Sequence, residues 1–113
     1  MISQIVSRVH ASPERSIIFK LLQGKWKLPI LYAMRSGPVR LSELVRLVPE
    51  ASKKALRAHL RDLETAQIVM RRDLSDRVLH VEYDFASEMK QIVCPLLDQL
   101  AQWGEILEQR EQP

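Results

Sequence analysis

Residues 40 to 66 read Arg40-Leu-Ser-Glu-Leu-Val-Arg-Leu-Val-Pro49-Glu-Ala-Ser52-Lys-Lys-Ala-Leu-Arg-Ala-His-Leu-Arg-Asp-Leu-Glu-Thr-Ala66. The spacing predicts a short helix with Leu41, Leu44, Val45 and Val48 as its apolar set, then a tight turn at Pro49. A longer helix follows over about residues 52–66. Ser52 suits its N-cap, accepting a bond from the backbone N–H of Lys54 or Ala55. Leu56, Leu60 and Leu63 fall at i, i+4, i+7 and share one side. At 100° per residue the opposite side carries Lys54, Ala58, Arg61 and Thr65, with Lys53 and Arg57 on the flanks. Ala58 is small and leaves the centre of that side open to close approach. Asp62 and Glu64 come late and either turn away from phosphate or bind locally.

A short helix, a turn, and a second helix with one greasy and one basic side is the layout of a helix-turn-helix. Many surface helices are basic on the solvent side and meet no nucleic acid, so the rest of the chain has to decide. Its charge map favours a polyanion. Residues 1 to 72 hold fourteen Lys or Arg against five Asp or Glu, a surplus of nine. Residues 73 to 113 hold three against nine, a deficit of six, and the whole chain carries +3. A basic patch confined to one part of a chain steers association and makes it salt-dependent.

At 113 residues, one domain is the default, with a modest core that oligomerisation often supplements. No run of about 18 uncharged apolar residues exists, so no membrane span is expected. Met1 to His10 lacks a basic start followed by a long apolar run and does not read as a signal peptide. A lone cysteine, Cys94, excludes an internal disulfide framework and fits a reducing cytoplasm.

Taken in order, Ile2 to Val9 fits a strand or a helix; periodicity does not decide. Ser12 and Pro13 suit a helix start, with Ile17, Ile18, Leu21 and Leu22 as the buried side. Gly24 punctuates, and a second helix is expected from near Lys25, with Pro29 in or just after its first turn. Its inner side is Trp26, Pro29, Ile30, Ala33 and Met34. Ser36-Gly37-Pro38 stops it. Val39-Arg40 fits a minimal strand.

After Ala66 the period changes to that of strands. Residues 68–74 and 78–85 are β-prone, joined by a tight turn at Ser75-Asp76-Arg77. The expectation is a hairpin, or wing, over about 68–85, with Val69, Val81 and Tyr83 among the inner residues. Arg71, Arg72, Arg77 and His80 supply donors for phosphate. Asp73 and Asp76 argue against a deep entry of the tip into a groove. The last element runs from Ser87 to about Arg110. Met89, Val93, Leu96, Leu100, Trp103 and Leu107 form a heptad seam, widened by Ile92, Leu97 and Ile106. Pro95 either kinks this helix or starts it. So wide an apolar face exceeds what a small core covers, and pairing with a second copy is expected over folding back as core.

No enzyme site emerges. His10, His59 and His80 are scattered without metal-ligand spacing, and no cofactor or metal is expected. His59 reads as a partly buried structural residue. Cys94 reads as a small hydrophobe near the seam rather than a sensor.

The residues now assembled resemble one family, the HxlR-type winged helix-turn-helix transcriptional regulators of bacteria. Gly24-Lys25-Trp26-Lys27 with Ile30-Leu31 is similar to the family's Gly-Lys-Trp signature. Gly37-Pro38 followed by Leu41-Ser-Glu-Leu44 resembles its Gly-Pro…Phe-x-Glu-Leu segment. Ser52-Lys-Lys-Ala-Leu56 with Leu60-Arg-Asp-Leu-Glu64 resembles its recognition helix. Val81-Glu82-Tyr83 resembles the end of its wing, and Pro95-Leu-Leu97 with Trp103-Gly104 its last helix. The likeness covers residues 12 to 104. Departures are Leu41 in place of an aromatic, Phe85-Ala-Ser-Glu-Met89 at the entry to the last helix, and a short charged turn in place of a proline-rich wing.

The resemblance implies a homodimer that binds a partly palindromic operator through two recognition helices and two wings. It also implies dimer contacts by the N-terminal and last helices. Several such regulators sense aldehydes, quinones or oxidants through a cysteine directly before the proline of the first helix. Ser12 stands there in this chain, so a thiol switch at that place is excluded.

The expected fold is therefore mainly α with a small β-hairpin, a winged helix-turn-helix with dimerising terminal helices. The expected domains are an N-terminal extension over 1–11, the winged helix-turn-helix over 12–86, and a dimerisation helix and short tail over 87–113. The expected function is sequence-specific binding of double-stranded DNA by a homodimeric cytoplasmic regulator. Lys53, Lys54, Arg57 and Arg61 would approach the major groove beside Ser52 and Ala58. Arg71, Arg72 and Arg77 would lie on the backbone, and Lys25 and Lys27 would add phosphate contacts. The alternative is a winged-helix interaction module that no longer reads DNA.

Overall fold

The computed structural model describes residues 23–111, so the expected N-terminal extension and the helix begun by Ser12 and Pro13 lie outside the described residues. The order is α1 (Lys27–Ala33), α2 (Leu41–Leu47), α3 (Lys53–Thr65), β1 (Val69–Asp73), β2 (Val81–Phe85) and α4 (Met89–Glu111). This is the mainly helical winged helix-turn-helix expected from the sequence.

Helix α1 begins at Lys27, two residues later than expected, with Trp26 as N-cap. Pro29 sits in its first turn, where a backbone N–H has no intrahelical partner to lose. Ile30, Leu31 and Met34 are fully buried. Leu31 is an inner residue that the pattern missed. The chain leaves α1 through Gly37, whose φ of 139° favours glycine, and whose N–H donates to the Met34 carbonyl at 3.1 Å.

Helix α2 has Arg40 as its N-cap, and the Arg40 backbone N–H donates to Glu43 Oε1 at 3.1 Å. Leu44 and Val48 are buried, whereas Val45 is exposed, as is Leu47. Val45 therefore does not belong to the inner face assigned to it. A seven-residue helix crossing the core at one point buries only a narrow stripe.

Helix α3 is capped by Ser52, whose Oγ accepts from Ala55 N–H at 3.0 Å. Leu56, Leu60 and Leu63 are 0–1% exposed. Its far end closes with Gln67 in the left-handed region at φ 61°. Ile68 N–H returns to the Leu63 carbonyl at 3.0 Å and Gln67 N–H to the Glu64 carbonyl at 2.9 Å. That pair of bonds is a Schellman motif, which satisfies the last carbonyls and turns the chain into the wing.

The wing pairs β1 and β2 antiparallel with Val69 opposite Phe85, Arg71 opposite Tyr83 and Asp73 opposite Val81. These pairs share one face; Met70, Arg72, Glu82 and Asp84 share the other. Val39 adds the expected minimal strand as an isolated bridge to Tyr83, with bonds of 2.9 and 2.8 Å. The strands are shorter than expected. Val78 and Leu79 are 74% and 75% exposed and lie in a loop over residues 74–80 rather than in a strand. Side-chain bonds hold that loop. Ser75 N–H donates to Asp73 Oδ1 at 2.9 Å, and His80 N–H to Ser75 Oγ at 2.9 Å. Bonds from the Ser75 side chain and backbone keep the Asp73 carboxyl below its ordinary pKa.

Helix α4 runs on through Pro95, so it does not start there. Val93 and Leu97 are buried in the common core with α1, α2 and α3 residues. An Arg35–Asp98 ion pair joins the end of α1 to α4, and Arg35 lies over the Tyr32 ring.

Candidate nucleic-acid interface

Burying Leu56, Leu60 and Leu63 fixes the rotation of α3, and the rotation decides what the opposite side shows. Lys53, Lys54, Arg57, Ala58 and Arg61 are all exposed there, together with the Ser52 cap. No carboxylate pairs with any of these cations among the described residues. Thr65 Oγ1 donates to the Arg61 carbonyl at 2.9 Å and remains part of the helix end. Asp62, next to Arg61 in the chain, is taken up by Lys27, whose Nζ lies 3.3 Å from Asp62 Oδ2.

Other cations named from the sequence separate into free and engaged. The Lys27 side chain is 16% exposed and braces α1 against α3. Lys25 Nζ lies 4.9 Å from the Trp26 ring centroid, a cation–π contact on an exposed residue. On the wing, Arg72 reaches Asp84 at 3.8 Å on the face away from α3. Arg71 sits on the other face, opposite Tyr83, and Arg77 is exposed in the loop over 74–80. His80 Nε2 lies 2.9 Å from Glu82 Oε1 and so has a carboxylate partner of its own.

Between the start of α3 and the wing lies a cleft of about 320 Å³, which brings Arg40, Lys53, Arg57 and Arg71 around Leu79 and Tyr83. Arg40 was not among the residues expected from the sequence. Its Nη2 donates to the Leu79 carbonyl at 3.1 Å and ties the wing loop to the helix-turn-helix. The available signal was a basic residue immediately before the first helix of the motif.

His59 is partly buried, with Nδ1 enclosed and without a hydrogen-bond partner among the described residues. It packs under the loop before α1, where a Cβ on Gly24 (φ 88°) would stand 3.1 Å from its Cε1. That is a structural position. Among the described residues no three His, Cys, Asp or Glu gather as a metal site. No helix there is long and apolar enough to cross a membrane.

The seam expected on the last helix divides. Val93 is buried within its own protomer, and Met89, Leu96 and Leu100 are half-buried. Trp103 and Leu107 are 63% and 58% exposed, and Ile92 and Ile106 stand exposed as well.

Known proteins share this arrangement. The family model described as HxlR-like helix-turn-helix matches residues 21–112. The HTH-type transcriptional regulator YkvN of Bacillus subtilis, itself uncharacterized, is 36% identical over 92 residues, which cover 81% of this chain and 77% of the relative. The crystal structure of a transcriptional regulator called ytcD superposes with a TM-score of 0.74 at 33% identity, covering 83% of this chain and 98% of that one. The redox regulator HypR in its reduced form gives 0.72 at 32% identity, covering 82% and 97%. These relatives are regulators of transcription and not enzymes. The chain belongs to the HxlR-like helix-turn-helix family of winged-helix, DNA-binding transcription regulators.

Proposed function

We propose that this chain works as a homodimer that binds a specific duplex operator, with α3 in the major groove and the wing on the flanking backbone. The observation that carries the reading is the solvent side of α3. Lys53, Lys54, Arg57 and Arg61 stand exposed around the small Ala58 with no carboxylate partner among the described residues, while Asp62 is bound to Lys27. A helix fits the major groove, and Arg and Lys there pair with guanine edges or phosphates. Arg71 and Arg77 extend the positive surface along the wing, and Lys25 adds a cation near α1. Arg72 and Lys27, each held by a carboxylate, contribute less.

The second half of α4 supports the homodimer. Trp103, Ile106 and Leu107 expose apolar area that a second copy would cover, with Leu96 and Leu100 at the edge of the contact. Residues 12–86 would then form the reading unit and 87–113 the pairing unit, in a cytoplasmic protein. A two-fold pair sets its recognition helices on half-sites about 34 Å apart, which requires a near-palindromic operator.

Selection of bound duplexes from random DNA, followed by titration at two salt concentrations, tests this. Recovery of inverted half-sites with affinity that falls steeply with salt is the expected result. Absent or salt-insensitive binding would leave the chain as a protein-interaction module.

A further inference from the structure

The cleft between the start of α3 and the wing is more specific than a basic surface. Arg40 before α2, Lys53 and Arg57 on the first turns of α3, and Arg71 on β1 come from three separate elements and line one cleft of about 320 Å³. None of the four has a carboxylate partner among the described residues. Elsewhere the wing does pair a cation with a carboxylate, as Arg72 with Asp84 shows. The register explains the difference. Arg71, Val81 and Tyr83 lie on the face toward the cleft, and Glu82 and Asp84 on the face away from it; Asp73, the wing carboxylate on the cleft face, accepts from Ser75 N–H at 2.9 Å at the strand end and does not line the cleft. Four cations crowded around one cleft repel one another, and an anion seated among them relieves that repulsion.

Arg40 has a second role. One of its guanidinium N–H groups is spent on the Leu79 carbonyl at 3.1 Å. A guanidinium carries five donors in a rigid fork, so others remain for an anion. The same side chain can therefore hold the wing loop and touch what enters beneath it.

We propose that this cleft seats one phosphodiester of the DNA backbone. Arg40, by gripping the Leu79 carbonyl, sets the wing loop at the spacing from α3 that the phosphate spans. The inference rests on the DNA-binding reading above and adds to it a defined seat and a positioning residue.

The test uses the full chain and a fluorescein-labelled duplex of mixed sequence, titrated over a salt series. Arg40→Ala is expected to weaken binding about tenfold, with a log–log salt slope shallower by about one. Arg71→Ala, on an exposed strand position, is expected to change the slope alike. Arg40→Lys should restore the slope but not the affinity, because an ammonium lacks the fork that serves loop and phosphate together. In the free protein, amide exchange over residues 74–80 should quicken in both Arg40 variants and stay unchanged in Arg71→Ala. If Arg40→Ala does not fold, Arg71→Ala decides the seat by itself. Wild-type affinity and slope in Arg71→Ala and Arg40→Ala overturn the seat. Unchanged exchange over 74–80 in the Arg40 variants overturns the positioning role. A wild-type chain without salt-dependent binding removes the seat and the parent reading together.

Discussion

Helices α3 and α4 are both amphipathic, and they end with opposite kinds of free surface. In α3 the apolar side is used up inside the protomer, with Leu56, Leu60 and Leu63 almost wholly buried. What remains outside is cationic. In α4 the apolar set is longer than the core it meets. Val93 and Leu97 go in, while Ile92, Trp103, Ile106 and Leu107 stay out. Free cations call for a polyanion, and free apolar area calls for another apolar surface. One chain thus presents two different demands on two helices, and the proposed DNA-bound pair of copies would answer both.

The largest expected effect lies on the used-up side of α3. Leu60→Ala leaves a hole among Leu56, Leu63 and the α1 residues, and such truncations cost about 2–5 kcal/mol. Urea unfolding measures it. A cost below about 1 kcal/mol would mean that the α3 face is not the centre of the core. The matching change on α4 is Trp103→Glu, at a side chain that lies outside the buried core. It should leave monomer stability nearly unchanged and weaken self-association by at least about thirtyfold, as loss of an aromatic anchor does. Sedimentation across a concentration series reads this. A dimer as tight as wild type would show that the exposed half of α4 is not where copies meet.

Arg57→Ala is the next smaller change. It removes one cation from the middle of the free side of α3 and should cost about 1–3 kcal/mol in operator affinity, with the dimer intact. A titration with unaltered affinity removes Arg57 from the interface. Together with Trp103→Glu it separates the two demands, because one variant should lose DNA with its dimer kept and the other should lose the dimer first.

Strong periodicity made α3 legible in the sequence. Three leucines at helical spacing fix a rotation, and one rotation fixes every cation on the far side. Its cap was legible too, because Ser52 precedes the apolar run by the right distance. Helix α2 was less so. Its apolar residues outnumber the positions a seven-residue helix can bury, so Val45 was placed inside although the fold turns it out. The wing loop misled for a similar reason. Val78 and Leu79 have strand chemistry, but the Ser75 bonds to Asp73 and His80 close a longer loop and leave them in solvent. Pairing partners were the least legible. Nothing in the sequence ties Arg72 to Asp84, Lys27 to Asp62 or Arg40 to Leu79, since each joins residues from separate elements. These three contacts decide which cations are free. The general basic surface was therefore readable, and its division into engaged and open residues was not.

The smallest expected effect concerns how the two helices are bounded. Helix α3 ends, and α4 begins, beside a non-glycine residue in the left-handed region, Gln67 at φ 61° and Glu88 at φ 65°. A side chain there costs about 1–2 kcal/mol relative to glycine, and glycine gives back part of that through the freedom of the unfolded chain. Gln67→Gly should therefore raise stability by roughly 0.5 kcal/mol. Its Schellman bonds come from the backbone and survive the change. Glu88→Gly should gain a similar amount, since its φ is nearly the same. Denaturant midpoints resolve both if the slope of unfolding is unchanged. A loss of stability in Gln67→Gly alone would show that the Gln67 side chain contributes to the turn from α3 into the wing. Under the proposed DNA-binding mode operator affinity should then fall with it, because that turn sets the wing relative to α3.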